Sequence, residues 1–150
     1  MLEQARQNHI GRLLLRANRS FVARALLKLQ ARGHTTLSVS HTELLPHLDV
    51  DGTRATLLAE RSGLSKQAVG QLIAELEAQG YLERQPDPTD RRAAIIFFTA
   101  LGWKFLLDAQ EVKREISSEY QQFLGQDVWE ALQQNLERLL EFETVDKSED

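Results

Sequence analysis

Arg84, Arg91 and Arg92 bracket a short segment, Pro86-Asp87-Pro88-Thr89-Asp90, whose composition is that of an exposed turn. Guanidinium groups on such a turn suit one chemistry well: capture of phosphate, or of the concentrated negative potential in a narrow duplex groove. Upstream, Ser65, Lys66, Gln67 and Gln71 fall on the outward side of a predicted helix, and Arg54 precedes it. Glutamine pairs bidentately with adenine N6 and N7, while lysine reaches phosphate or guanine. Both sets have plainer readings, a solvated helix face and a surface ion pair worth under about 1 kcal/mol. Residue type alone does not choose between them. Other chemistries find less support. The histidines at 9, 34, 41 and 47 lack a thiolate or a carboxylate cluster, and His41 and His47 are not on one helical face. No nucleophile–base pair and no phosphate loop is present, so no enzyme, cofactor or metal site is expected.

The elements that must carry these side chains follow from periodicity. Ile10, Leu13, Leu14, Ala17, Phe21 and Ala25 repeat at helical spacing within a first helix predicted over about Leu2 to Ala31. Leu15, Val22, Leu26 and Leu29 make a second apolar line on it, as in a helix with more than one neighbour. Ser40 and Glu43 read as a capping box opening a short helix that Pro46 bends or ends. Thr53 can cap a helix over about Arg54 to Ser62, and Ser65 a longer one to Gln79, closed by Gly80. Leu58, Ala59, Gly63, Leu64, Val69 and Leu72 then have the spacing of a helix-turn-helix, with Leu64, Val69 and Leu72 locking the second helix onto the first. Tyr81–Arg84 and Ala94–Phe98 are predicted strands joined by the Pro/Asp turn. Two helices follow, about Ala100 to Leu124 and Asp127 to Glu143, with a frayed end from Thr144. A helical hairpin of no function shares part of this pattern. The β-hairpin that follows, with arginine at its tip, favours a winged helix-turn-helix.

The central half of the chain resembles the MarR family of bacterial transcription regulators. The resemblance rests on Leu58-Ala59-Glu60-Arg61-Ser62-Gly63-Leu64-Ser65-Lys66-Gln67-Ala68-Val69, on Leu76 through Arg84, on Pro86 through Arg92, and on Phe98-Thr99-Ala100-Leu101-Gly102. The last two groups look like the family's D-x-R wing motif and its L-T-x-x-G strand-to-helix joint, with Phe98 in place of the usual leucine. Family members often carry arginine near position 71, where this chain has Gln71. The resemblance implies a mainly α (α+β) fold, one domain over 1–150. Its winged lobe spans about 36–99 and its dimerisation helices about 1–34 and 100–144. It implies a homodimer on a pseudo-palindromic double-stranded DNA operator, with Arg92 in the minor groove and Asp90 orienting it. It also implies a repressor relieved by a small, aromatic or anionic effector, for which Arg16, Arg19 and Trp103 are the expected contacts. Partner-helix ion pairs and core packing are the plainer roles for those three. A winged-helix module turned to protein binding is the alternative function.

Bulk properties set the frame. The 150 residues are 42% hydrophobic and 27% charged, the balance of a globular protein. Net charge is −4, yet the first 34 residues hold seven cations against one acid and the last 50 hold five against twelve. A local basic face is therefore compatible with an acidic whole, and opposite charges on the first and last helices can register an interface. With no cysteine, disulfides, thiolate metal sites and cysteine redox sensing are excluded. The opening residues lack a signal-peptide pattern, and the longest apolar stretch, Ala93–Phe98, is too short for a bilayer. A cytoplasmic protein without a membrane partner is expected.

Overall fold

The computed structural model describes residues 9–146. The chain forms two compact units, residues 1–112 and 113–150. Among the described residues the first helix is α1 (Ile10–Ala31); His9 caps it, its ring nitrogen Nδ1 accepting from the Arg12 N–H at 3.3 Å. The expected start at Leu2 lies outside the described residues.

Next comes α2 (Val39–Leu44), which runs into a 3-10 turn (Leu45–His47) at Pro46. The predicted box at Ser40 and Glu43 is displaced by two residues. Ser38 is the cap, and His41 rather than a glutamate closes the box: His41 N–H donates to Ser38 Oγ, and Ser38 N–H donates to His41 Nδ1. The reason is tertiary. Because Nδ1 accepts, the ring proton sits on Nε2, which meets Glu75 Oε2 at 2.8 Å. That bond secures His41, and with it the start of α2, to the helix carrying Glu75.

A short strand, β1 (Thr53–Arg54), precedes α3 (Ala55–Ser62), and α4 (Lys66–Ala78) follows the turn. Thr53 is not the expected cap; its hydroxyl oxygen accepts from the Asp49 N–H at 2.8 Å, and Arg54 stands at the cap position without a side-chain cap bond. Gly63 ends α3 at φ +69, a left-handed conformation that a Cβ disfavours. Helix α4 packs against α3, and Val69, Ile73 and Leu76 on the one and Leu58 on the other are all buried. Leu64 and Leu72 do less than their spacing suggests: Leu64 is exposed and Leu72 half-buried. Positions 69, 73 and 76 form one line along the helix, whereas 72 lies about 60° off it at 100° per residue.

The hairpin strands are β2 (Leu82–Pro86) and β3 (Ala94–Phe98). They pair antiparallel from Leu82↔Phe98 to Pro86↔Ala94, and β1 adds to the other side of β3 through Thr53↔Ile96 and Arg54↔Ile95. The sheet order is therefore β1-β3-β2. Its inner residues Leu82, Ile96 and Phe98 join Leu44, Leu45 and Leu58 in the lobe's core.

Helix α5 (Ala100–Leu124) starts in the first unit and continues into the second, where α6 (Gln126–Asp146) follows. The final helix thus extends past the predicted fraying point at Thr144. Within the second unit the Tyr120 and Trp129 rings meet edge to face at 6.0 Å between centroids. Among the described residues, no helix is long and apolar enough to cross a membrane.

Candidate nucleic-acid interface

The Phe98-Thr99-Ala100-Leu101-Gly102 joint explains how the winged lobe is held together. Thr99 N–H donates to Tyr81 O at 3.1 Å, its hydroxyl donates to Gly80 O, and its oxygen accepts from the Gly102 N–H at 3.1 Å. One threonine therefore closes the end of α4, the start of β2 and the first turn of α5 together. Gly102 lies against the Tyr81 carbonyl, so close that a Cβ there would sit 2.2 Å from that oxygen. Nearby, buried His34 bridges Tyr81 Oη at 2.9 Å and Asp108 Oδ2 at 2.8 Å, and Lys104 also pairs with Asp108. These bonds tie the end of α1, the start of β2 and α5 into one frame.

On that frame the predicted contact residues divide. Ser65 caps α4, its hydroxyl oxygen accepting from the Ala68 N–H at 3.1 Å. Lys66 and Gln67 occupy the first exposed turn of α4, and Gln71, one turn on, donates to Glu75 Oε1 at 3.1 Å. Gly70 between them has no atom within 4 Å of where a Cβ would stand. On the hairpin, Arg91 and Arg92 are exposed at the tip. Arg84, its side chain still 46% exposed, donates to Glu77 Oε2 at 3.3 Å, which links β2 to α4. Arg16 and Arg19 lie exposed on α1, and Trp103 is 45% exposed on α5 with its ring 6.3 Å from that of Phe98.

Two of the predicted contact residues have partners within the wing that the sequence does not reveal. Asp90 does not grip the Arg92 guanidinium. Its carboxylate accepts from the Arg92 backbone N–H at 3.0 Å and its carbonyl from the Ala93 N–H at 3.0 Å, so it shapes the turn and leaves the side chain free. Arg54 is not simply an exposed cation either: it pairs with Asp87 and donates to Thr89 Oγ1 at 3.0 Å. Asp87 was missed altogether. It is only 4% exposed, although it sits in the wing. Its signal was present, since Asp followed two residues later by Thr is the pattern of an Asx turn.

A hollow of about 310 Å³ opens between α2 and α4, walled by Leu64, Ala68 and Leu72 and rimmed by Glu43, Gln71 and Glu75. Its carboxylates carry the wrong sign for an anionic ligand.

Three carboxylates of this unit are held below their ordinary range. For Asp87 the hydrogen bonds from Thr89 lead, for Glu75 that from His41, and for Asp108 that from Lys104. A carboxylate whose folded-state value is depressed adds stability above its unfolded value and loses it as pH falls through the folded one. Stability is therefore expected to be insensitive to these groups from neutrality down to about pH 5, and to decline below about pH 4. Urea unfolding between pH 3 and 7 checks this; a loss centred near pH 6 would contradict it.

Fold and surface together define a winged helix-turn-helix protein: a two-helix reading unit, a β-hairpin wing and long flanking helices. Residues 35–93 match the sequence model of the MarR family, so this lobe is similar to that family's winged helix. Over 72 residues the chain is 28% identical to the transcriptional regulator HosA of Escherichia coli O111:H-, an alignment spanning 48% of this chain and about half (53%) of that relative. Among solved structures, MarR of E. coli in its apo form has a TM-score of 0.74 at 19% identity, over 88% of this chain and 96% of that one. The transcriptional repressor CouR bound to a 23-mer DNA duplex has a TM-score of 0.73 at 24% identity, over 89% and 94%. At these identities the likeness establishes the fold.

Proposed function

We propose that the protein is a homodimeric, sequence-specific DNA-binding regulator of transcription, and that it acts as a repressor. The observation that carries this reading is the pairing of two exposed cationic features on one lobe, the first turn of α4 with Lys66 and Gln67 and the wing tip with Arg91 and Arg92. Phosphate contacts set register, and the base edges reached by α4 set sequence preference. CouR and a mutant E. coli MarR crystallised with operator DNA share the fold and support the assignment. An anionic aromatic effector at Arg16, Arg19 and Trp103 would relieve repression by preferring the lobe spacing that does not fit DNA.

If each subunit places about three cations on phosphates, the log–log salt slope should be near −5, at roughly −0.9 per phosphate. Arg92→Ala should weaken binding most at A·T-rich flanks, because the wing reads groove width and potential. Gln67→Ala should instead relax preference at particular major-groove positions, by about 1–3 kcal/mol against the right base. Selection from a random duplex pool followed by salt titration measures all three. A flat salt dependence would favour the alternative, a protein-binding winged helix. Unchanged affinity in Arg92→Ala would remove the wing from the interface.

A further inference from the structure

We propose that Arg54, Asp87 and Thr89 form an anchor that presets the angle of the wing, so that Asp87 is a positioning residue for DNA binding although it repels DNA. The inference rests on the DNA-binding reading above.

The geometry starts with the sheet. Arg54 ends β1 opposite Ile95 of β3, and Ile95 in turn faces Gln85 of β2. Its guanidinium therefore reaches over the middle strand to the residue just beyond β2, where it pairs with Asp87 Oδ2 and donates to Thr89 Oγ1. The other carboxylate oxygen, Oδ1, accepts from the Thr89 N–H at 2.8 Å and from its hydroxyl at 2.7 Å. The backbone N–H of Asp87 closes the hairpin on Ala93 O at 3.1 Å. Oδ1 and the amide of this one residue are thus hydrogen-bonded, while buried Oδ2 makes no hydrogen bond and is held by the Arg54 ion pair alone, between two prolines that restrict the chain on either side.

An exposed hairpin tip has few apolar contacts to hold it, and on its own it would sample many angles. A carboxylate buried there is costly unless it is paired and hydrogen-bonded. Here it is both, and the pairing joins the far end of the wing to the strand that leads directly into α3. The first residue of the helix-turn-helix and the base of the tip that carries Arg91 and Arg92 are therefore fixed to one another. Asp90 then shapes the outer turn through backbone bonds. A wing held at one angle loses less conformational freedom on binding than a loose one.

Charge separates this role from a direct contact. Neutralising an acid beside DNA should by itself strengthen binding, since the phosphates repel it. Asp87→Asn is expected to do the opposite and weaken operator affinity about tenfold, the scale of a lost charged hydrogen bond. Amide exchange at residues 89–93 should accelerate in the variant without DNA, while α3 and α4 keep their protection. Thr89→Val should show the same pair of changes, and Thr89→Ser, which retains the hydroxyl, should restore both. Asp87→Asn or Thr89→Val binding as tightly as the parent, or tighter, with unchanged wing exchange would overturn the proposal. So would equal loss of protection throughout the lobe, which marks general destabilisation. Because exchange is read without DNA, the anchor is tested even if the parent protein binds no duplex.

Discussion

Gly102→Ala is expected to destabilise the protein by about 3 kcal/mol, the upper part of the usual range for overpacking, and to lower its melting temperature by roughly 6–12 °C. The added Cβ would stand 2.2 Å from the Tyr81 carbonyl oxygen and 2.9 Å from Phe98 Cδ1. Phe98 can rotate, but the carbonyl is backbone and already accepts from the Thr99 N–H. Relief requires α5 to lift from the start of β2, which strains the Thr99 bonds as well. Gly70→Ala is the matched control. That glycine lies inside α4 with open space around its Cβ position, so alanine should add about 0.5–1 kcal/mol through helix propensity. Thermal unfolding of the two variants should move in opposite directions. A Gly102→Ala protein as stable as the parent would mean that the joint is not the tight contact its geometry describes. If Gly70 also serves close approach to DNA, its alanine variant should be more stable yet bind less tightly.

The second large effect concerns assembly. In α1, Ile10 is 66% exposed and Leu13, Leu14 and Leu15 are exposed as well; in the second unit Phe123 is 88% exposed and Phe142 66%. Val128, Leu132, Leu136 and Leu139 repeat at three and four residues along α6, all exposed. Apolar stripes of that extent are uncommon on a stable monomer and are the usual mark of an interface. We expect a dimer in sedimentation, and we expect Leu132→Glu with Leu136→Glu, or removal of residues 126–150, to yield monomer or aggregate. A symmetric dimer reads two half-sites about one helical turn apart. A monomer keeps only one, so affinity for the full site should fall about a thousandfold or more, towards the non-specific level. Tight binding to a single half-site by the double variant would refute the dimeric reading of the operator. A truncated chain that remains a well-folded dimer would place the interface elsewhere.

What the chain determines by itself is mostly local. The long helices were legible because apolar residues recur every three or four positions over many turns. The turn at Gly63 and the cap at Ser65 were legible because their backbone geometry depends on that residue and its near neighbours. The hairpin followed from β-branched and aromatic residues around a Pro/Asp turn, and the order of these elements, together with the wing and joint motifs, was enough to point to the winged fold.

What the chain could not announce were choices made by distant partners. Strand β1 is two residues long, too short to alternate, and exists because β3 offers it a free edge. The start of α2 moved from Ser40 to Ser38 because His41 found Glu75 on α4. Arg84 and Arg54 look alike as exposed cations in the sequence; Glu77 claims one, and Asp87 and Thr89 claim the other. Asp87 itself, an acid in a basic wing, gains its meaning only when β1 and β2 flank β3 and bring Arg54 across the sheet. Periodicity and turn chemistry act within a few residues, whereas the assignment of charged side chains is settled by whichever partner the fold delivers to within about 4 Å.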